Sequence, residues 1–492
     1  MRPWAVLLLL LPLAGCLGGG DDDGPSGTDL PEMDAEGAIL HDNVAANIGT
    51  PIAMTHEGRE PDDHTHAADH TGSHNLEFVG WSSLGITLGD NGFANFVLHD
   101  TADGRTLAFI ATDGDSEGGF VIADVTDPTA MNPLGRYTAP GSGFQEVRVT
   151  PDGRHAILNV QDAPSALASD PLASCSVCMH VVDVSDPTNP TVESVFPIET
   201  LGTHNMDLFE DAGTVYVVHV GQPLGLVGND PVGNRLGVLR LVVPPVGPAV
   251  LVPVGYFAHP ALLDAGRSFP HDVLVQQHPD GRRVAYVSHW DGGVVTFDLT
   301  NPSLAIPLGV NTEMAPSSAL AIHWTTQEAA PRADGKTYAW SAPEIGELAD
   351  GTGVIRAYDA TDPASLHQVG TWTLPGNSTI DGAGAHFILS PHVVQPDQDT
   401  GLLAVAHYHA GVWVLDISDP THPTALGYYL PHGDDTSPYE GAFWWKKPNF
   451  DPAGYLPNAY MVRWHDGLLW ASERGTGLYA LRYTGPVPGP VV

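Results

Sequence analysis

The residues best equipped for chemistry in this chain are its histidines, 24 in all. Four of them open short apolar runs: His204 in Thr-His-Asn-Met, His271 in Pro-His-Asp-Val, His323 in Ile-His-Trp and His392 in Pro-His-Val-Val, with His386 competing with His392 for one place. A second set closes such runs: His219, His289, and His407 with His409, joined by Glu473. Imidazoles with carboxylates nearby are natural ligands for zinc or copper. Two other readings stand beside the metal one: polar contacts to a ligand without metal, and a structural hydrogen-bonding ring copied with each repeat. A separate tract holds His64, His66, His70 and His74 among acidic residues, and could capture the same ions without any fold. Its alternative is a plain solvated linker.

A recurring phrase supplies the elements that position the first two sets. It runs Val121-Ile122-Ala123-Asp124-Val125-Thr126-Asp127-Pro128 and returns about every sixty residues: Val181 to Pro187, Val295 to Pro302, Arg356 to Pro363 and Val414 to Pro420. Val238 to Pro244 is a copy without the acids, and Gly477 to Arg482 is the seventh. A fixed period with strand-and-turn chemistry in each unit marks a repeat architecture. Residues 268–309 show one unit: strands around Val273, Tyr286 and Phe297, turns at His278-Pro279-Asp280-Gly281 and Asp291-Gly292-Gly293, and a fourth strand from Ile306. Four short antiparallel strands per unit predict an all-β, seven-bladed β-propeller. The last unit has no room for a fourth strand, whereas Asn75 to Trp81 stands alone before the first. This N-terminal strand is expected to close the last blade and remove two sheet edges. Strand one is innermost, and its start lies beside the end of strand two. Both histidine sets are therefore expected on one face, around the mouth of the channel.

The phrase resembles the LVIVD-repeat family of β-propellers, whose members include bacterial and archaeal surface or secreted proteins. The resemblance covers residues 75 to 485 and is good in five of seven copies. It implies the fold and does not assign an activity.

Residues 1–15 read as a signal peptide, with the run Leu7 to Leu11 too short to span a bilayer. Leu13-Ala14-Gly15-Cys16 matches a lipobox, so Cys16 is expected to carry lipid. Residues 16–74 follow as an acidic, His-rich tether, 75–485 as the propeller and 486–492 as a short tail. The expected location is outside the cell, anchored to the outer face of the cytoplasmic membrane through the Cys16 lipid alone.

The net charge is −39, from 58 acidic and 19 basic residues. Such a surface repels nucleic acid and anionic headgroups. It resembles salt-adapted archaeal surfaces, where ionic strength screens self-repulsion. Cys175 and Cys178 are read as lying inside the long insertion of the second blade that starts at Asp162. In an oxidising compartment a local disulfide is the default, with metal ligation and a redox pair as alternatives. No Gly-x-Ser-x-Gly elbow, His-Glu-x-x-His, phosphate loop or dinucleotide fingerprint occurs. The expected function is a monomeric surface binding module for a protein or small ligand, with divalent-metal affinity for copper or zinc at the histidine face. The alternative is a copper- or zinc-dependent oxidoreductase at that face.

Overall fold

The structure is a computed structural model. It describes residues 73–86, 91–114, 118–139, 146–161, 177–198, 204–221, 235–262, 270–289, 293–311, 322–343, 354–374, 391–408, 410–431 and 458–492. The expected signal peptide, Cys16 and the tether histidines His64, His66 and His70 lie outside them. Among the described residues no helix is long and apolar enough to cross a membrane.

Seven antiparallel sheets form the ring. The chain enters through β1 (Ser73–His74) and β2 (Leu76–Ser82). Blade 1 is β3 to β6 (Asn91–Asp100, Thr106–Gly114, Gly119–Asp124, Asn132–Thr138). Blade 2 is β7 to β10 (Val147–Val149, His155–Gln161, Val177–Asp183, Thr191–Pro197), and blade 3 is β11 to β14 (Asn205–Asp211, Thr214–Val220, Arg235–Val242, Val250–Ala258). Blade 4 is β15 to β18 (Pro270–Gln277, Arg283–His289, Gly293–Asp298, Ile306–Asn311), and blade 5 is β19 to β22 (Ile322–Gln327, Tyr338–Pro343, Ile355–Asp359, His367–Trp372). Blade 6 is β23 to β26 (Val393–Asp397, Leu402–Ala406, Val412–Asp416, Thr424–Tyr429), and blade 7 is β27 to β29 (Ala459–His465, Leu468–Glu473, Gly477–Tyr483). β2 pairs antiparallel with β29 and completes blade 7, as the unpaired N-terminal run predicts. β1 adds a fifth strand to blade 6. The inner strands pack in order round the ring, and the seventh meets the first.

The repeated acids are turn-builders. Asp127 Oδ1 accepts the Thr129 amide at 2.9 Å, and Asp186, Asp362 and Asp419 accept the amide two residues on in the same way. These Asx turns join strands three and four of blades 1, 2, 5 and 6. Each turn then docks on its neighbour. In the outer strand pair a bulge recurs, and beside it sits a glycine: Gly135, Gly309, Gly370 and Gly427. A Cβ on Gly135 would overlap the Pro187 carbonyl of blade 2, and one on Gly370 would overlap that of Pro420. Blade 2 has Ser194 at this place, facing the acid-free turn of blade 3, and its Oγ donates to the Ala249 carbonyl at 2.6 Å.

A second device seals the channel wall. Innermost strands have amides with no strand to pair with, and buried amides need acceptors. Each of several is taken by a side chain of the preceding blade: Met206 N by Glu146 Oε2 at 2.6 Å, Val275 N by Asp207 Oδ2 at 2.7 Å, Gln327 N by Gln276 Oε1 at 2.8 Å and Trp464 N by Gln395 Oε1 at 2.7 Å. At the closing seam the Phe96 amide donates to the Met461 sulfur at 3.1 Å.

Candidate functional site

Strand pairing places the start of each first strand beside the end of the second, as at Met206↔His219 and Pro270↔His289. Both histidine sets thus belong to one edge of the ring, but they point differently. The first-strand set converges on the channel. His204 of blade 3 stacks on His271 of blade 4, with ring centroids 4.5 Å apart and planes 17° from parallel. His392 of blade 6 is close enough for both to act on it electrostatically. Blades 3 and 6 are not neighbours, so that influence crosses the channel. The His323 side chain, His386 and His409 lie outside what the structure describes.

The second-strand set turns away from the axis. A Cβ on Gly237, in the third strand of blade 3, would overlap the His219 ring, which also meets Tyr256 edge-on at 6.3 Å. His407 meets Trp372 of the outermost strand of blade 5, also edge-on at 6.3 Å. His289 lies within electrostatic reach of His259, just beyond the last strand of blade 3. These three belong to the layers between blades.

Burial holds the imidazoles neutral, because the charged form loses its water. It lowers His204 and His219 to about 4, and His289 and His407 to about 3. His392 lies well below the ordinary imidazole range, from burial first, opposed by its bond to the Tyr460 carbonyl and reinforced by His271, Arg474 and His204. That bond, His392 Nδ1 to Tyr460 O at 2.7 Å, fixes the tautomer. A carbonyl only accepts, so Nδ1 carries the proton and Nε2 keeps its lone pair. Metal-ligating histidines are commonly oriented by such a bond. The Arg474 guanidinium lies 4.8 Å over the Tyr460 ring and completes this side of the mouth.

Other candidates have structural duties. Glu473 accepts from the amides of Asn458, Gly475 and Thr476 and from the Thr476 hydroxyl, at 2.6–2.8 Å. Both its oxygens are therefore committed to a turn, while burial pushes its carboxyl up to about 7. His74 lies on β1, its ring 6.3 Å from Tyr428. Cys178 belongs to β9 rather than to the insertion before it. It is buried, with Sγ 3.4 Å from His180 Nε2, and the His180 Nδ1 meets the Tyr137 hydroxyl at 2.7 Å. Cys175 lies outside the described residues, and with it the pairing of the two.

Below the imidazoles is a charged group that the sequence reading passed over. Glu146 (blade 2) pairs with Arg148 at 2.5 Å and accepts from Asn95 of blade 1 at 3.2 Å. Arg148 also reaches Asp207 of blade 3 at 3.5 Å. Asp272 of blade 4 and Arg463 of blade 7 act on the same group electrostatically. Burial, against the pull of Arg148, raises Glu146 to about 7 and Asp272 well above the carboxylate range. Glu146 is the residue after Gln145, the position that aligns with the first-strand histidines; reading one residue further in each first strand gives Asn205 and Asp272.

These features define a seven-bladed, ring-closed β-propeller with a polar channel and imidazoles at one mouth. Residues 108–139, 178–196 and 403–430 match the LVIVD repeat. No curated protein matches the sequence. Similar solved structures include a periplasmic gluconolactonase from Pseudomonas aeruginosa (15% identity, 82% of this chain and 100% of that one, TM-score 0.44). A catalytically inactive virginiamycin B lyase from Staphylococcus aureus, with quinupristin, shares 10% identity over 83% of this chain and 98% of that one, TM-score 0.45. The Cps50 (Swd1) propeller domain of Myceliophteria thermophila shares 12% over 82% and 98%, TM-score 0.46. The fold rests on the strand pairing above, and nothing about activity is taken from these likenesses.

Proposed function

We propose that the protein is a surface-anchored binding module, held outside the cell by lipid on Cys16, whose ligand site is the channel mouth formed by His204, His271 and His392. The observation that carries this reading is the convergence of imidazoles from blades 3, 4 and 6 across the channel. Neutral imidazoles offer both donors and acceptors to a small polar ligand. Copper or zinc affinity belongs to the same proposal, but the residues as they stand fit a metal only in part. His392 Nε2 is the lone-pair nitrogen of its ring. The His204 and His271 rings, however, stack with planes 17° from parallel, and the in-plane lone pairs of stacked rings do not meet at a single ion unless one ring rotates. Among the described residues no three ligand atoms of this mouth lie within 4.8 Å of one another.

A second reading, a copper- or zinc-dependent oxidoreductase, is favoured by the His392 tautomer alone. One experiment separates the two. The mature chain, with His64, His66, His70 and His74 replaced, is purified without a tag and its metal content measured. Near-stoichiometric copper or zinc, lost in H271A and H392A, supports a metal centre and justifies oxidase assays. A folded protein that holds and rebinds no metal removes the oxidoreductase and leaves a metal-free binding mouth.

A further inference from the structure

Beneath the mouth, the channel group holds three carboxylates, Glu146, Asp207 and Asp272, against two guanidiniums, Arg148 and Arg463. The contacts are unevenly shared. Arg148 is taken by Glu146 at 2.5 Å and by Asp207 at 3.5 Å. Asp207 also accepts the Leu208 and Val275 amides at 2.9 and 2.7 Å. Asp272, only 1% exposed, has Oδ1 on the Val273 amide at 2.7 Å, and its Oδ2 is buried with no hydrogen-bond partner among the described residues. Glu146, Arg148 and Asp207 all act on Asp272 electrostatically. Asp272 belongs to blade 4 and Glu146 to blade 2, so Asp272 faces the channel. A second orphaned acceptor is beside Glu146. The Asn95 amide nitrogen must face the carboxylate it donates to, which leaves Asn95 Oδ1 buried without a partner among the described residues.

A buried carboxylate oxygen without a partner is costly unless something neutralises or coordinates it. We propose that the channel takes one weakly hydrated monovalent cation, potassium or a small ammonium, at Asp272 Oδ2. A divalent ion is a poor fit, because it needs three or more converging ligand atoms. The described residues bring such a trio together only at Asp100, His465 and Asp466, on the surface. A monovalent cation can instead be held by one charged oxygen and keep part of its water, which Asp272 Oδ2 allows. This inference does not depend on the histidine mouth.

The test is thermal unfolding of the whole mature chain in potassium, ammonium, methylammonium, sodium or tetramethylammonium chloride at equal ionic strength, so that screening of the acidic surface is constant. The expected result is a saturable rise in Tm of roughly a few degrees in potassium or ammonium over tetramethylammonium. The rise should vanish in D272N and persist in H271A. A response to potassium without ammonium identifies an alkali-metal site; a response that extends to methylammonium identifies an amine site. Should D272N not fold, thallium(I) NMR on the unaltered protein replaces it: one bound signal displaced by potassium supports the site. A cation response equal in D272N and the parent overturns the proposal. So does the absence of a response, or thallium binding that does not saturate, and either result leaves Asp272 neutralised by a proton.

Discussion

The backbone carbonyl of Pro187 in blade 2 occupies the space that a side chain on Gly135 of blade 1 would need. The recurring Asp-Pro turn and the recurring glycine are thus two halves of one contact between neighbouring blades. The acids hold the turn in shape, and the missing Cβ lets it sit against the bulged outer strand. G135A forces the turn outward, and overpacking of this kind costs about 1–3 kcal/mol. Urea unfolding should register that loss for G135A and G370A. S194G, at the same place in blade 2, should cost only about 1 kcal/mol, the Ser194–Ala249 hydrogen bond.

Asn75 ties the closing strand to two blades. Its φ is +55°, its amide donates to the Leu426 carbonyl at 2.7 Å, and its own carbonyl accepts the Thr484 amide at 2.9 Å. It stands where blade 7, lacking an Asp-Pro turn, would otherwise leave Gly427 of blade 6 without a neighbour. N75A combines a left-handed backbone with a lost buried hydrogen bond, so a loss of about 2 kcal/mol is expected, with N75G recovering the backbone part. Hydrogen exchange should show β2 opening earlier in N75A than in the parent; unchanged exchange there would mean that closure rests on β2 pairing alone.

The fold was legible in the sequence because each blade spells out its own turns. Asp127-Pro128 and its copies punctuate strands at a fixed period, and the solitary run at Leu76 could be matched to the blade that lacked a strand. The histidine face was legible only as an edge. Strand order put His219 and His204 at the same end, but which way a ring turns depends on packing, and His219 lies over Gly237 while His204 meets His271. The channel charges were hidden for a different reason. Glu146, Asp207 and Asp272 sit on inner strands of three blades, and no local spacing links an acid in one repeat to an arginine in the next.

Arg148 is the positive centre of that channel group, between Glu146 and Asp207. Removing one partner of a buried ion pair strands the other, which costs about 3–5 kcal/mol. R148M should therefore lower stability by about that amount. Adding E146Q should restore part of it, because the amide keeps the acceptor for the Met206 amide without the charge. A double mutant no better than R148M would place the loss in packing rather than charge.

The buried imidazoles make stability depend on pH in a predictable direction. Each has a folded pKa below its unfolded value of about 6.5, so its contribution is complete above that value and is lost as pH falls toward the folded one. His180, His204 and His219 lie at about 4, His289 and His407 at about 3. Glu146 and Glu473 act oppositely. Raised to about 7, they contribute fully below the unfolded carboxylate pKa and lose that contribution as pH rises through 7. Near pH 5.5 the five imidazoles outweigh these two carboxyls by about 2.7 protons, equivalent to roughly 3.6 kcal/mol per pH unit. Stability should therefore climb from pH 4.5 to a maximum near neutrality. His407 isolates one part of this. It is fully buried, and neither ring nitrogen has a hydrogen-bond partner among the described residues. Replacing it with leucine removes two unsatisfied polar atoms at similar volume, so H407L should be as stable as the parent at pH 7 or more so. Between pH 4.5 and 6.5 its slope should be shallower by about one proton, and chemical unfolding at four pH values would measure both. An unchanged slope would mean that His407 is protonated in the folded protein, with a counter-charge from beyond the described residues.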